Sequence, residues 1–190
     1  MSKIIDIFNY DGQINLLKIK FNYTSNLVDK YWIIDTTIEQ NLSEIIDQNF
    51  EFLRNKIFIT SGVDIKIYDE KLKKLFIQNN INFDDIVIIS NIDEVYNGEI
   101  IESLELHLPF SPQILQVYNC DENLKVIDSE STLGPIILYR TDYTKFPNYT
   151  DNLFLRKFGY KTPKPDELKL THGYKVKLHT GITNYNFILD

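Results

Sequence analysis

Four consecutive apolar residues, Ile86-Val87-Ile88-Ile89, stand between the acids Asp84-Asp85 and the polar string Ser90-Asn91-Ile92-Asp93-Glu94. A short run of Ile and Val without polar alternation has no face to offer to water, so it reads as a strand covered on both sides. That burial constrains the whole chain, because a strand hidden on both faces needs a layer above it and a layer below. In open α/β sheets, ligands gather where such strands end. Asp93 and Glu94 are therefore the first candidates for chemistry.

The preceding sequence supplies the layers. Residues 4–8 form a short apolar run, followed by the turn residues Tyr10-Asp11-Gly12 and then by Ile14, Leu17 and Phe21 at helical spacing. Residues 31–34 predict a second strand. Leu42, Ile45, Ile46, Phe50 and Leu53 then share one face of a helix that Asn41 or Ser43 can cap. Residues 57–59 predict a third strand, Leu72, Leu75 and Phe76 a third helix, and 86–89 the fourth strand. Such alternation predicts a mostly parallel sheet with right-handed crossovers, flanked by helices: a Rossmann-like α/β fold.

Beyond a short helix expected at 99–106, the pattern turns to β-like pieces at 113–118, 125–127, 135–139 and 174–179. These are expected to extend the sheet or to form a smaller antiparallel portion. Residues 141–152, polar and aromatic, predict a surface loop near the site, and the proline-containing 161–165 predicts a stiff connector.

At 190 residues and 43% hydrophobic, the chain is long enough for one sizeable core and one domain, 1–190. The net charge of −7, with basic residues dispersed among acids, argues against a nucleic-acid binder. It suits an anionic ligand that arrives with a metal. Cys120 is the lone cysteine, so no internal disulfide can form, and the first residues hold too short an apolar run for a signal peptide or membrane anchor. A cytoplasmic protein without a membrane span is the expectation.

A carboxylate at the end of a buried strand suits Mg²⁺ or Mn²⁺, which take one or two carboxylates and leave other positions to phosphate and water. Asp93 is the first choice of ligand. Adjacent residues on an extended chain point to opposite faces, so Asp93 and Glu94 cannot grip one ion unless the chain has already turned, whereas Asn91 and Asp93 share a face. The alternative is that Asp93 and Glu94 start a turn or cap the helix after Asn97-Gly98. Phe8, Tyr10 and Asp11, at the end of the first strand, open onto the same sheet edge and are candidates for contact with a nucleotide base and ribose. Lys175 and Lys177 share a strand face and could neutralise two phosphates, or could be solvated lysines outside Val176 and Leu178.

Three blocks carry a resemblance to a known family. Residues 84–95 resemble the Asp-Asp-Ile…Ser-Asp-Val-Asp-Glu-Ile-Pro signature of glycosyltransferase family seventeen, the family of the bisecting β-1,4-mannosyl-glycoprotein N-acetylglucosaminyltransferase. Gln13-Ile14-Asn15-Leu16-Leu17-Lys18-Ile19-Lys20-Phe21 is similar to its Glu-Leu-Asp-Leu-Leu-Glu-Ile-Arg-Leu helix, and Val28-Asp29-Lys30-Tyr31-Trp32-Ile33-Ile34-Asp35-Thr36 to its Val-Asp-Tyr-Phe-Val-Ile-Val-Glu-Ser strand. The three fall in order over the first hundred residues.

The resemblance implies a GT-A nucleotide-sugar fold, with residues 1–100 as the donor half, 101–190 as the acceptor half, and an Asp-X-Asp motif closing the fourth strand. Asp93 stands where the second acid binds a divalent metal (Mn²⁺ or Mg²⁺) bridging the donor's diphosphate. Asn91 replaces the first acid, keeping an acceptor oxygen and losing a charge. Gln13 for Glu, Asn15 for Asp, Lys20 for Arg and Tyr96 for Pro are further departures, and family members are longer than this chain. Thr171-His172-Gly173-Tyr174-Lys175 resembles the family's Gly-Trp-His region, which makes His172 a second metal ligand or a diphosphate contact. The implied activity is inverting transfer of a sugar from a nucleoside-diphosphate donor, a UDP-sugar first of all, to a hydroxyl of a glycan or other acceptor. A carboxylate should deprotonate that hydroxyl. Asp142 and Asp151, on the expected loop, and Glu130 are the candidates for that base, and Glu94 beside Asp93 is a further catalytic candidate. The alternative is a degenerate GT-A domain that binds a nucleotide sugar, a glycan or a protein without turnover.

Overall fold

A computed structural model describes residues 3–37, 41–61, 81, 85–96, 113–121, 123, 125–139 and 172–176. The strands β1 (Ile4–Tyr10), β2 (Lys30–Asp35), β3 (Ile57–Ser61) and β4 (Ile86–Ser90) lie parallel in the order β3-β2-β1-β4. Every residue of β4 is buried, as its unbroken apolar run requires. At the opposite end of the sheet from the candidate site, two carboxylates tie the first strand to its neighbours. Asp85 Oδ1 accepts the Lys3 N–H at 2.9 Å, and Asp29 Oδ2 accepts the Ile4 N–H at 2.9 Å.

Helix α1 (Ile14–Thr24) packs its Leu16, Leu17, Ile19 and Phe21 into the core beside the strand residues Ile4, Phe8, Tyr31 and Ile33. The rings of Tyr31 and Phe50 pack against Phe21 there, tilted and edge-on, with centroids 4.8 and 4.9 Å from it. Helix α2 (Leu42–Asn49) is capped by Asn41, whose Oδ1 accepts the Glu44 N–H at 3.4 Å. The single helix expected to run through Leu53 is instead broken. Phe50 leaves the helical region at φ −139°, and a 3-10 helix follows over Glu51–Lys56. The break carries both Phe50 and Leu53 into the core, each nearly sealed from solvent.

The second half extends the same sheet. Strands β5 (Glu94–Tyr96), β6 (Gln113–Cys120), β7 (Val126–Tyr139) and β8 (His172–Val176) complete the order β3-β2-β1-β4-β7-β6-β8-β5. Strand β7 runs antiparallel to β4 and β6, so a smaller antiparallel portion adjoins the parallel sheet. The two pieces expected at 125–127 and 135–139 are one strand. Gly134 and Pro135 lie between the pairs Ile114↔Ile136 and Gln116↔Leu133, where the register shifts by one residue, so a bulge absorbs the donor that proline lacks. Strand β8 begins at His172, two residues before the sequence suggested. The helices expected around 72–76 and 99–106, the 141–152 loop and the 161–165 connector lie outside the described residues. None of the described helices is long and apolar enough to cross a membrane.

Candidate functional site

The chain winds outward from β1 through β2 to β3, then crosses back to place β4 on the other flank of β1. Neighbouring crossovers therefore leave in opposite directions from β1 and β4, and a crevice opens between their carboxyl ends. It has a volume of about 320 Å³ and is lined by Asn9, Asp11, Gln13, Leu16, Thr36, Asn91, Ile92 and Asp93.

Each wall has a local cause. The β1–α1 turn needs a left-handed residue, and Gly12 takes φ 97° there. Asp11 folds back on the same turn, its Oδ2 accepting from Gln13 Nε2 at 2.8 Å and its Oδ1 from the Gln13 N–H at 3.3 Å. Thr36 Oγ1 donates to the Tyr10 carbonyl at 2.8 Å, which sews the end of β2 to the end of β1. On the other wall, β4 ends in a turn over residues 91–94, closed by the Glu94 N–H on the Asn91 carbonyl at 3.1 Å. Asn91 and Asp93 sit half-buried on the crevice side of this turn.

Beneath the turn lies a polar network with no access to solvent. Lys20 and Asp6 are both 0% exposed, with Nζ and Oδ2 3.1 Å apart. Lys20 Nζ also donates to Ser90 Oγ at 2.9 Å, to the Asn91 carbonyl at 3.2 Å and to the Glu94 carbonyl at 2.8 Å. Ser90 Oγ donates in turn to Asp6 Oδ1 at 2.6 Å, and the Tyr96 hydroxyl donates to Asp6 Oδ2 at 3.0 Å. Burial, reinforced by the Asp6 charge, pushes the Tyr96 phenol well above its ordinary range, so it stays a neutral donor.

The fold is one that solved structures share. Neither a protein-family model nor a curated protein matches the chain. HddC from Yersinia pseudotuberculosis superposes with a TM-score of 0.51 at 13% identity, over 93% of this chain and 90% of that one. A 4-diphosphocytidyl-2C-methyl-D-erythritol synthase gives 0.51 at 12% identity, over 90% and 93%. The apo form of the glycosyltransferase GlyE of Streptococcus pneumoniae TIGR4 aligns at a TM-score of 0.48 and 11% identity, over 86% of this chain and 40% of that chain. At such identities the likeness to the first two is one of fold: a four-stranded parallel sheet flanked by helices with an antiparallel addition, a Rossmann-like arrangement.

Of the residues singled out from sequence, the structure brings Asp11, Asn91 and Asp93 to one crevice. Three others are corrected. Glu94 is 0% exposed, and its carboxylate is turned inward, accepting the Asn91 N–H at 2.7 Å and Asn91 Nδ2 at 3.2 Å. It holds the turn together and is not presented to an acceptor. Phe8 packs edge-on against Phe21 and Tyr31 inside the core, because its strand position faces α1. Tyr10 is likewise 0% exposed and offers no ring face to a base. Burial, with the charges of Asp35 and Asp11 behind it, raises its phenol pKa.

The antiparallel β5–β8 register pairs Glu94 with Lys175 and Tyr96 with Gly173. His172 therefore falls one step beyond Tyr96, at the end of β5 away from Asp93, so this ladder does not bring the expected metal pair of Asp93 and His172 together. Among the described residues no group of three His, Cys, Asp or Glu side chains could hold a metal ion. Asp151, Asp142 and Lys177 lie outside the described residues, and Glu130 is placed only as a position in β7.

Sequence reasoning missed Asn9 and Thr36 as lining residues, and Asp6, Lys20 and Ser90 as the support. A signal existed for two of these. Lys20 shares the inward stripe of α1 with Leu16, Leu17 and Phe21, and Asp6 is the one charge inside Ile4-Ile5-Asp6-Ile7-Phe8. A lysine and an aspartate on core faces of neighbouring elements must find each other or leave a buried charge unpaired.

Proposed function

We propose that this chain is a glycosyltransferase of the family-seventeen kind, taking a sugar from a nucleoside-diphosphate donor, a UDP-sugar first of all, to a hydroxyl of a glycan or other acceptor with inversion. What carries this reading is the position of Asp93, half-buried in a crevice of about 320 Å³ at the switch point between β1 and β4. Residues 1–100 form the donor half and 101–190 the acceptor half. The groups facing the crevice suit a donor of this class. Asn9, Gln13 and Asn91 offer amide donors and acceptors to base, ribose or phosphate, and Asp11 offers a carboxylate to ribose hydroxyls.

A divalent cation carried in by such a donor would take one carboxylate from Asp93 and the side-chain oxygen of Asn91, with the remaining positions left to phosphate and water. Mn²⁺ or Mg²⁺ bound there would neutralise charge gathering on the leaving diphosphate. Lys175 and Lys177 are the proposed contacts for the phosphates, and Asp151 the proposed base toward the acceptor. The inward-facing Glu94 leaves that role to another carboxylate.

A specific observation favours a second reading, a nucleotide-sugar or glycan-binding domain without turnover. The first acid of Asp-X-Asp is Asn91, and its side-chain amide is already engaged by Glu94. One experiment tests both. With Mn²⁺ and UDP at a hundredfold excess over their dissociation constant, the native protein should gain about 2.7 kcal/mol, or roughly 5–11 °C in Tm, and Asp93→Ala should gain nothing. No shift in the native protein removes the donor site altogether. A shift without release of UDP from any UDP-sugar in the presence of acceptors leaves the binding domain.

A further inference from the structure

The 91–94 turn carries the carboxylate at the centre of the crevice, and a buried ammonium grips it from beneath. Lys20 Nζ reaches the carbonyls at both ends of the turn, Asn91 at 3.2 Å and Glu94 at 2.8 Å, and also Ser90 Oγ, on the strand residue that feeds it, at 2.9 Å. Asp6 fixes the ammonium at 3.1 Å, and the rings of Phe8 and Tyr96 stand 4.8 and 5.6 Å from it. An ammonium has three hydrogens, and here four oxygens share them.

From the other side, the Glu94 carboxylate accepts the Asn91 N–H at 2.7 Å and its side-chain amide at 3.2 Å. The turn is thus held by a cation on the carbonyl oxygens of Asn91 and Glu94 and by an anion on the Asn91 backbone N–H and side-chain amide, the polarity each of those dipoles asks for. A turn at a strand end needs only its own hydrogen bond to close. This one has its own bond, at 3.1 Å, and two charged clamps besides.

We propose that Lys20 is the positioning residue of the crevice. By holding both ends of the 91–94 turn, it sets the direction in which Asn91 and Asp93 face the cavity, so Lys20 governs the geometry of the site without itself lining it. The consequence for ligand binding rests on the donor site proposed above; the hold on the turn does not.

Two measurements test this. In native-state hydrogen exchange of Lys20→Met, the Asn91 and Glu94 amides should lose protection relative to the β1–β2 ladder by about tenfold or more, while Lys20→Arg, which keeps charge and donors, should stay near the native pattern. Turn and ladder losing protection in step would overturn the proposal. Should Lys20→Met fail to fold, Ser90→Ala, which removes one partner of the ammonium and leaves its charge paired, is compared in the same way and judged by the same outcomes. The second measurement is the affinity for manganese with UDP, taken by calorimetry at a temperature where each variant is fully folded. The dissociation constant should rise about tenfold in Lys20→Met and recover in Lys20→Arg, and an unchanged constant in Lys20→Met would overturn the positioning of the ligand groups. If the native protein itself binds no manganese–UDP, the donor site falls, and the exchange comparison alone decides the role of Lys20.

Discussion

Removing the charge of Lys20 should be among the most damaging single changes in this protein. In Lys20→Met the Asp6 carboxylate stays 0% exposed and, among the described residues, keeps the Ser90 and Tyr96 hydroxyls. Stripping one partner from a buried ion pair costs about 3–5 kcal/mol. Two carbonyls also lose a donor, at 3.2 and 2.8 Å. The Asn91 oxygen retains the Glu94 N–H, so a further loss of about 1 kcal/mol is the reasonable addition. The expected total is about 4–6 kcal/mol, or roughly 8–24 °C in Tm for a chain of this size. That is a large share of the roughly 5–15 kcal/mol that holds a typical domain together.

The assay is urea unfolding followed by circular dichroism on Lys20→Met, Asp6→Asn and the double variant. Removing both charges leaves no unpaired ion, so the double variant should be about 2–4 kcal/mol more stable than the sum of the single losses allows. Additivity within about 0.5 kcal/mol, or a loss below about 1 kcal/mol in Lys20→Met, would refute the account of a coupled buried pair.

Two further outcomes follow from the same core. Tyr10, Tyr31 and Tyr96 are buried with phenol pKa values raised above the ordinary 10.0, so the folded state holds protons that the unfolded chain releases; stability should be fully present below about pH 10 and fall as pH rises beyond it, checked by urea midpoints from pH 8 to 12. Flat midpoints across that window would contradict the burial of these phenols. Asn91→Asp sets a carboxylate where an amide donates to Glu94 at 3.2 Å; at pH 7 it should lose about 1–3 kcal/mol, most of it recovered in the Glu94→Gln background, and equal losses in both backgrounds would refute the contact.

How far the site was legible in the sequence depends on the distance over which each signal acts. Asn91 and Asp93 could be found because they end a strand whose burial is written in its own composition, and Asp11 because a glycine turn follows it. The direction of Glu94 is not legible in this way because the turn before it decides it: the chain turns through Ile92 and Asp93, and Glu94 then enters β5 facing inward. Phe8 and Tyr10 were misjudged for a related reason. Proximity to the end of β1 said where they stand along the sheet, whereas alternation along the strand turned both rings toward α1 and the core.

The sequence by itself determined the four parallel strands, the first helix and the start of the second, since hydrophobic periodicity, the Asn41 cap and the Gly12 turn act over a few residues and require nothing remote. It also determined that β4 must be covered on both faces. The tertiary structure decided which strands neighbour one another, that β7 passes through Pro135 on a bulge, and that Lys20 supports the crevice from below. The Asp6 network shows why: its hydrogen bonds to Ser90 and Tyr96 join residues 84 and 90 positions apart. Local patterning can mark such residues as buried, but only chain closure brings their charges within reach of one another.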